Sequence, residues 1–215
     1  MKNKYKNFTL DTASRFYPIL RTRKTESLFR YSVVLKDEVD PILLEAAANR
    51  TLQRFPTMCV EIKKGYAWHY FKHNTRHLPI WEYDGFVKKP IDRKRNNKHN
   101  IRIAYKGKLV VIDFFHALCD GRAALEYIKL LFAIYAKEKG YSPDLVDIKS
   151  EYDVPTEEEM ENAFHNIYIE TKLKDINLKE LLGEKPLLIK GTPLSDYELD
   201  SAYCDLDKIK DLCKE

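Results

Sequence analysis

One stretch near the middle of the chain constrains the fold most, because its elements follow one another without long connections. Two apolar runs, Ile101 to Tyr105 and Leu109 to Phe115, are separated by Lys106-Gly107-Lys108, which predicts a β-hairpin. From Gly121 to about Lys139 apolar residues recur at helical spacing, and Gly140 stands where a helix C-terminus favours glycine. The fold must therefore join a hairpin to a long amphipathic helix through a short turn.

The upstream part of the chain predicts a strand, a helix and a second hairpin. Phe29 to Leu35 is rich in aromatic and β-branched residues, which favours a strand. Asp40-Pro41 supplies an N-cap carboxylate followed by a proline at the first helical position, so a helix should begin there and end at Phe55-Pro56. Short apolar runs on both sides of Lys64-Gly65 predict a hairpin over residues 59–72.

The two ends of the chain are less regular. Asp11 to Lys24 contains a proline and several basic residues, so we expect an irregular segment. Thr156 and Glu159 have the spacing of a capping box, which predicts the start of a helix. Two strands and a last helix are predicted at Leu187 to Lys190, Tyr197 to Cys204 and Leu206 to Lys214. The expected fold class is α/β (α+β), a mixed β-sheet with flanking helices.

Composition indicates a globular protein without a membrane span. The 215 residues are 44% hydrophobic and 33% charged, and the length suggests one large domain or two small lobes. The longest stretch without a charged residue is eight residues, 162–169, whereas a spanning helix needs about 20. The basic N-terminus lacks the apolar stretch of a secretory signal. We therefore expect a cytoplasmic protein.

Charge is distributed unevenly along the chain. The net charge of +4 is too small to indicate a nucleic-acid partner, but Lys88 to His99 holds six basic residues against one acid. Ser150 to Glu161 holds six acids and no base. We interpret both as solvated loops or helix faces. The alternative for the basic run is phosphate or nucleic-acid binding, with Trp68, Tyr70 and Trp81 as stacking platforms.

Cysteines and histidines give weaker signals. Cys59, Cys119, Cys204 and Cys213 form no C-x-x-C pair, so reduced and mostly buried thiols are expected. His69, His73 and His77 have a spacing that could hold a metal on a helix, but this region is predicted to be a strand, which would separate them. No metal site is predicted.

One histidine directly follows an apolar strand. The chain reads Phe114-Phe115-His116-Ala117-Leu118-Cys119-Asp120-Gly121-Arg122, so a strand, a tight turn and a helix meet there. Histidine ordinarily titrates near neutral pH, which suits a general base. Asp120 can turn back toward His116 or toward an arginine, and Gly121 lets the main chain pass where a Cβ would collide. A histidine that serves only packing is the alternative.

The string His-x-x-x-Asp-Gly between a strand and a helix resembles the signature of the CoA-dependent acyltransferase superfamily. This group includes chloramphenicol acetyltransferases and the condensation domains of nonribosomal peptide synthetases. Six further matches resemble its alcohol acetyltransferase-like and condensation-like branch, at Leu10-Asp11-x-Ala13, Tyr17-Pro18, Phe29-Arg30, Val39-Asp40, Arg54-Phe55-Pro56 and Gly65-x-x-Trp68. The resemblance spans nearly the whole chain and implies a chloramphenicol acetyltransferase-like N-terminal lobe.

The resemblance also implies roles for the motif residues. His116 would be the base that takes a proton from an alcohol or amine acceptor, which attacks an acyl thioester directly. Asp120 would be structural and paired with one of three candidates, Arg15, Arg23 or Arg30. Gly121 would keep the substrate channel open. Acyl-CoA or a carrier-protein thioester would be the co-substrate, with no permanently bound cofactor. Phe115 stands where many condensation domains have a second histidine, which makes peptide-bond condensation a weaker expectation.

The position of the motif bears on domain organisation. In two-lobed members the motif histidine closes the first half, and here 99 residues follow His116 (215 minus 116). We expect residues 1–186 to form the N-terminal lobe, and residues 187–215 to form crossover strands and the start of a C-terminal lobe. The chain would then be an acyltransferase if a second lobe or self-association completes it. The alternative is a non-catalytic acyltransferase-like module that binds a partner.

Overall fold

The computed structural model describes residues 7–10, 14–66, 68–85 and 89–160, all within one compact unit of the chain. Strands in these residues are β1 Asn7–Thr9, β2 Leu28–Val34, β3 Val60–Lys64, β4 His69–His73, β5 Ile80–Glu82, β6 Ile101–Lys106 and β7 Leu109–Phe115. The helices are α1 Phe16–Leu20, α2 Pro41–Arg54, α3 Gly121–Glu138 and α4 Glu157–Met160. Among the described helices none is long and apolar enough to cross a membrane.

The strands form two sheets. A four-stranded sheet has the order β2-β7-β6-β5, in which β5 and β6 are parallel and the other neighbours are antiparallel. A three-stranded antiparallel sheet has the order β1-β4-β3. The predicted class, a mixed sheet with flanking helices, is confirmed, with two sheets in place of one.

The core lies between the four-stranded sheet and the helix pair α2 and α3. Val110, Ile112 and Phe114 alternate along β7, so all three point to the helix side, where they are buried. The Tyr127 hydroxyl of α3 donates a hydrogen bond to the Ala48 carbonyl of α2 at 3.3 Å. A second cluster connects β7 to the three-stranded sheet and contains Leu10, Val60, Phe71, Phe115 and Ala117.

The predicted ends of the long helices are confirmed. The Asp40 carboxylate accepts hydrogen bonds from the amides of Ile42 and Leu43, at 3.0 and 3.1 Å, and Pro41 is the first helical residue. Gly140 has a φ of +86°, the left-handed conformation that ends a helix and favours glycine. These local rules decide where α2 begins and α3 ends.

The acidic stretch is tied down rather than solvated along its whole length. We call residues 149–160 the acidic strap. Within it, α4 begins at the predicted capping box. Thr156 Oγ1 accepts a hydrogen bond from the Glu159 amide at 3.2 Å, and Glu159 Oε2 accepts one from the Thr156 amide at 3.1 Å. Both terminal nitrogens of Arg54 donate to Glu159 at 2.9 Å. Glu151 pairs with one terminal nitrogen of Arg50. The strap is therefore anchored to α2 at two places.

The basic stretch also differs from the solvated loop that we expected. Ile91 is fully buried, and the Arg93 guanidinium lies 2.6 Å from Oε1 of Glu26, whose side chain is fully buried. Arg93 also lies over the Phe115 ring, 4.9 Å from its centroid. The stretch covers the sheet face opposite the helices, so its charges are partly used inside the protein.

Three short elements were not predicted. The segment expected to be irregular contains α1, and β1 and β5 have three residues each, too few to show a periodic pattern. α1 forms because Tyr17 packs against the second cluster, a contact that sequence periodicity does not report. The strands, helix and lobe boundary expected at residues 187–215 lie outside the described residues.

Candidate functional site

His116 lies at the end of β7, as predicted. Its amide donates to the Ser27 carbonyl at 2.9 Å, which extends the pairing of β2 and β7 by one step. The preceding amide, of Phe115, donates to Asn100 at the same distance, and a turn closes from Leu118 back to Phe115. The backbone of the histidine is thus held on both sides, while its side chain is only half-buried.

Two aromatic rings confine the imidazole of His116. Tyr17 of α1 stacks on it, with 4.9 Å between ring centroids and 15° between planes. Phe29 of β2 meets it edge-on, at 5.0 Å and 64°. Within the described residues neither ring nitrogen has a hydrogen-bond partner, and neither is among the buried unpartnered atoms. The nitrogens are therefore free to contact a substrate.

Phe29 connects the histidine to the core. It stacks on Phe114 at 5.4 Å, and Phe114 meets Tyr127 of α3 edge-on at 5.8 Å. Tyr127 in turn meets Phe55, at the end of α2, at 5.9 Å. A row of rings thus runs from His116 through the core, so one side of the imidazole rests on a rigid support.

Asp120 has a different partner from the one expected. Its carboxylate accepts from the Ala123 amide at 2.8 Å and caps α3, and the residue is exposed. In the described part of the chain no arginine pairs with it: Arg30 binds Asp113, Arg15 lies over Trp68, and Arg23 is exposed without a contact to Asp120. An exposed carboxylate at a helix N-terminus is satisfied by water and the helix amides, so it needs no arginine.

Gly121 is the first residue of α3 and lies under Tyr31. The Tyr31 hydroxyl donates to the Gly121 carbonyl at 2.9 Å. A Cβ on Gly121 would lie 3.4 Å from that hydroxyl, at the short end of ordinary contact. The close approach that we expected is present, but it is a narrow fit rather than a collision.

A buried charge cluster on the opposite sheet face was missed by sequence reasoning. Asp113 of β7 accepts from Arg30 of β2 at 2.7 and 3.1 Å, and from Arg102 of β6 at 3.0 and 2.6 Å. The three residues are direct cross-strand neighbours. A carboxylate inside an otherwise apolar strand was the available signal. The cluster joins β2, β7 and β6, and His116 directly follows β7.

The thiol inside the motif is not a candidate nucleophile. Burial, with a smaller contribution from the nearby Asp120 carboxylate, raises the pKa of Cys119 to about 12. Burial also raises the pKa of Cys59 to about 11. Because the thiolate is the reactive species, both thiols are unreactive near neutral pH. Cys204 and Cys213 lie outside the described residues.

The histidines considered for a metal do not come together. Among residues 7–10, 14–66, 68–85 and 89–160 there is no cluster of three side chains that could hold a metal ion. His69 and His73 lie on β4, whereas Nε2 of His77 lies 2.6 Å from Glu45 of α2. Burial lowers the pKa of His73.

Two cavities are formed by described residues, and His116 lines neither. One of about 190 Å³ lies between the end of α2, the start of α3 and the acidic strap, with Phe55, Ala123 and Met160 in its wall. The other, of about 420 Å³, is an open groove beside Ile42 and His77. Neither of these two cavities therefore contains the imidazole of His116.

No protein-family model and no curated protein matches the chain. Among solved structures it is similar to polyketide synthase associated protein 5 from Mycobacterium tuberculosis, with 14% identity, a TM-score of 0.50, and 67% of this chain and 38% of that chain covered. The starter condensation domain of rhizomide synthetase aligns at 12% identity, TM-score 0.48, with 64% and 39% covered. SgcC5 from Streptomyces globisporus aligns at 14%, TM-score 0.47, with 64% and 38% covered.

This likeness shows a shared fold. The mixed α+β arrangement of two sheets and flanking helices is shared with polyketide synthase associated protein 5. The chain spans less than two fifths of the length of these structures. A variant of the rhizomide synthetase domain has been solved in complex with C8-CoA.

Proposed function

We propose that this chain carries the general base of an acyltransferase, His116, and transfers an acyl group from a thioester to an alcohol or amine. One observation supports this above the others: an imidazole held between two rings at the end of β7, with both ring nitrogens free. A histidine that served only packing would bury its ring and satisfy its nitrogens. The acyltransferase-like fold agrees with this role.

The proposed step needs no covalent enzyme intermediate. An imidazole nitrogen of His116 takes the proton from the acceptor O–H or N–H while the acceptor atom forms a bond to the thioester carbonyl carbon. The resulting oxyanion then re-forms the carbonyl as the C–S bond breaks. The leaving thiolate takes the proton from the imidazolium. Acyl-CoA or a carrier-protein thioester is the proposed donor.

A second lobe or a second copy completes the site in this proposal. The His116 side chain is only half-buried, and neither of the two cavities described above includes it. General-base action supplies about 10²- to 10⁴-fold, whereas positioning of both substrates and oxyanion stabilisation supply most of the remainder. A dilute, monomeric chain should therefore transfer little.

A non-catalytic binding module is the second candidate. The observation in its favour is the half-buried imidazole itself, which an interaction partner could cover without any chemistry. Under this alternative, His116 would be one contact residue among several, and its replacement would not change any rate of thioester cleavage.

The test is a thiol-release assay across a wide range of protein concentrations. Acetyl-CoA and C8-CoA are each offered with a panel of alcohols and amines, and the signal of the protein alone is subtracted. His116→Ala is compared with His77→Ala, which removes a half-exposed histidine that pairs with Glu45 away from the site. We expect background from the dilute chain, and transfer at high concentration that His116→Ala lowers at least 10²-fold and His77→Ala leaves unchanged.

Two results would overturn the proposal. Transfer that survives His116→Ala would show that another group is the base. Equal background from all three proteins at every concentration would favour the binding module.

A further inference from the structure

The two rings that confine His116 differ in how firmly they are held. Phe29 is on β2 and belongs to the row of rings that crosses the core. Tyr17 is on α1, a helix of five residues in which Phe16, Ile19 and Leu20 are exposed by 60%, 57% and 66%. Tyr17 is the residue of α1 that packs against the second cluster. One ring is thus part of the core and the other lies on a surface element.

The imidazole has one torsion that its backbone does not restrain. Strand pairing holds the Cα of His116, but the final side-chain torsion of histidine is broad and roughly two-fold. With neither nitrogen hydrogen-bonded inside the described residues, no polar contact selects one ring orientation. The edge of Phe29 limits the rotation on one side only. The near-parallel Tyr17 ring supplies the remaining restraint, because rotation of the imidazole would break the stack.

We propose that Tyr17 is a positioning residue: its ring, stacked on His116, sets the direction in which the imidazole nitrogens point toward the acceptor. This inference rests on the proposed role of His116 as a base. Tyr17 itself takes no proton and makes no bond in the step. A base that is misdirected by about 1 Å loses about 10²-fold in rate, so the restraint is large enough to matter.

Three variants separate the stack from other effects. Tyr17→Phe keeps an aromatic ring in place, Tyr17→Leu removes the ring and keeps apolar volume, and Tyr152→Leu makes the same change at an exposed tyrosine on the acidic strap. The first readout is the NMR signal of the His116 ring protons, assigned by its loss in His116→Ala. Stacking should shift these protons upfield in the wild type and Tyr17→Phe. They should move downfield in Tyr17→Leu and stay in place in Tyr152→Leu.

The second readout separates kcat from KM in the thiol-release assay. We expect Tyr17→Leu to lower kcat about 10- to 100-fold at little changed KM, because it misdirects the base without removing a substrate contact. Tyr17→Phe and Tyr152→Leu should keep the wild-type kcat.

The outcomes distinguish this inference from the proposed function. Unchanged His116 ring signals in Tyr17→Leu would overturn the positioning role whatever the assay gives. If the His116 ring signals move in Tyr17→Leu but kcat stays at the wild-type value, the stack is only a packing contact and the positioning role is overturned as well. A rate that His116→Ala leaves unchanged would instead reject the base, while the NMR comparison would still report whether Tyr17 stacks on the His116 ring.

Discussion

At the scale of single residues, Asp113 is a buried carboxylate with two charged partners. Its carboxylate is 2% exposed and faces the guanidinium groups of Arg30 and Arg102. Arg102 donates further to the carbonyls of Lys89 and Pro90, so the cluster also fastens the basic loop. Removing a buried charge from such a group leaves its partners without compensation.

We expect Asp113→Asn to lower the free energy of unfolding by about 3 kcal/mol or more. Urea-induced unfolding is the measurement. Asp147→Asn is the matched control, because Asp147 is exposed and has a φ of +60° that asparagine tolerates. The control should change stability by less than about 0.5 kcal/mol. Similar small losses in both variants would contradict the central role of the Asp113 cluster.

Asp120 gives a second prediction, because it caps α3. Asp120→Ala should cost about 1 kcal/mol in a chemical denaturation experiment, while Asp120→Asn should keep most of the stability through the same hydrogen bond to the Ala123 amide. An arginine-paired carboxylate would behave differently, since asparagine cannot replace its charge. A large loss in Asp120→Asn would therefore restore the arginine pairing that we first expected.

The structural role of a residue could be predicted where it depends on its sequence neighbours. It could not be predicted where it depends on a contact with a residue far away in the sequence. Asp40, Thr156 and Gly140 were read correctly because capping depends on neighbours within four positions. The stacking of Tyr17 on His116 joins residues far apart in sequence, and no periodicity reports it. For the same reason the sequence suggested Arg30 as a partner of Asp120, whereas in the structure Arg30 pairs with Asp113.

At the scale of elements, the acidic strap shows how charge can attach an otherwise exposed segment. The Glu159 carboxylate accepts hydrogen bonds from both terminal nitrogens of Arg54 and pairs with Lys149, although the Glu159 side chain is partly exposed. The hydrogen bonds from Arg54 and Lys149 lower the pKa of Glu159 to about 2. The strap also forms one wall of the cavity beside α3.

We predict that Glu159→Gln releases the strap without unfolding the core. Amides of residues 149–160 should exchange faster with deuterated solvent, while those of β6 and β7 should keep their protection. Glu158→Gln is the control, since Glu158 is exposed. Equal protection of the strap in both variants would show that the Arg54 pair does not hold it.

The same ion pair predicts a dependence on pH. Because the pKa of Glu159 is lower in the folded chain than its ordinary value of 4.5, its contribution is fully present above about pH 4.5. The contribution is lost as the pH falls toward 2. The opening of the strap, measured as amide exchange relative to the intrinsic exchange rate at each pH, should rise over that interval in the wild type. Glu159→Gln should show a much weaker pH dependence, and identical profiles would contradict the assignment.

Long elements were predicted and short ones were not. α2, α3 and the β6–β7 hairpin have enough residues for the apolar spacing to repeat, and their boundaries agree within about two residues. β5 has three residues and exists because it pairs in parallel with β6, a contact decided by the tertiary fold. Residues 88–99 were predicted to be a solvated loop because most of them are charged or polar, although Ile91 among them is fully buried.

At the scale of the whole molecule, the described surface near α1 is apolar. Phe16, Ile19 and Leu20 are each more than half exposed, and so is Trp68, which contacts Arg15 near the start of the same helix. Exposed apolar patches of this kind mark interaction sites in soluble proteins. Tyr17 connects the patch to His116, so whatever covers it also lies close to the proposed base.

We therefore expect the chain to self-associate at high concentration. Sedimentation velocity should show an average mass that rises with concentration for the wild type, and a monomer for the double variant Phe16→Ser and Leu20→Ser. Tyr152→Ser with Val154→Ser is the control, because these residues are about 80% and 79% exposed but lie on the acidic strap. A wild type that stays monomeric throughout would contradict a role for the patch in association.

The pairing of β2 with β7 has a consequence for how the site is made. Arg30 and Asp113 are 83 positions apart, whereas the β6–β7 hairpin closes through a turn at Gly107. Local hairpins form quickly, and distant strand pairs form late because a long loop must first be closed. During synthesis β2 leaves the ribosome well before its partner exists, as an unpaired strand exposed to other nascent chains. The imidazole support between Phe29 and Tyr17 is then assembled last, and substitutions that weaken β2 should lower the yield of folded protein before they change any rate.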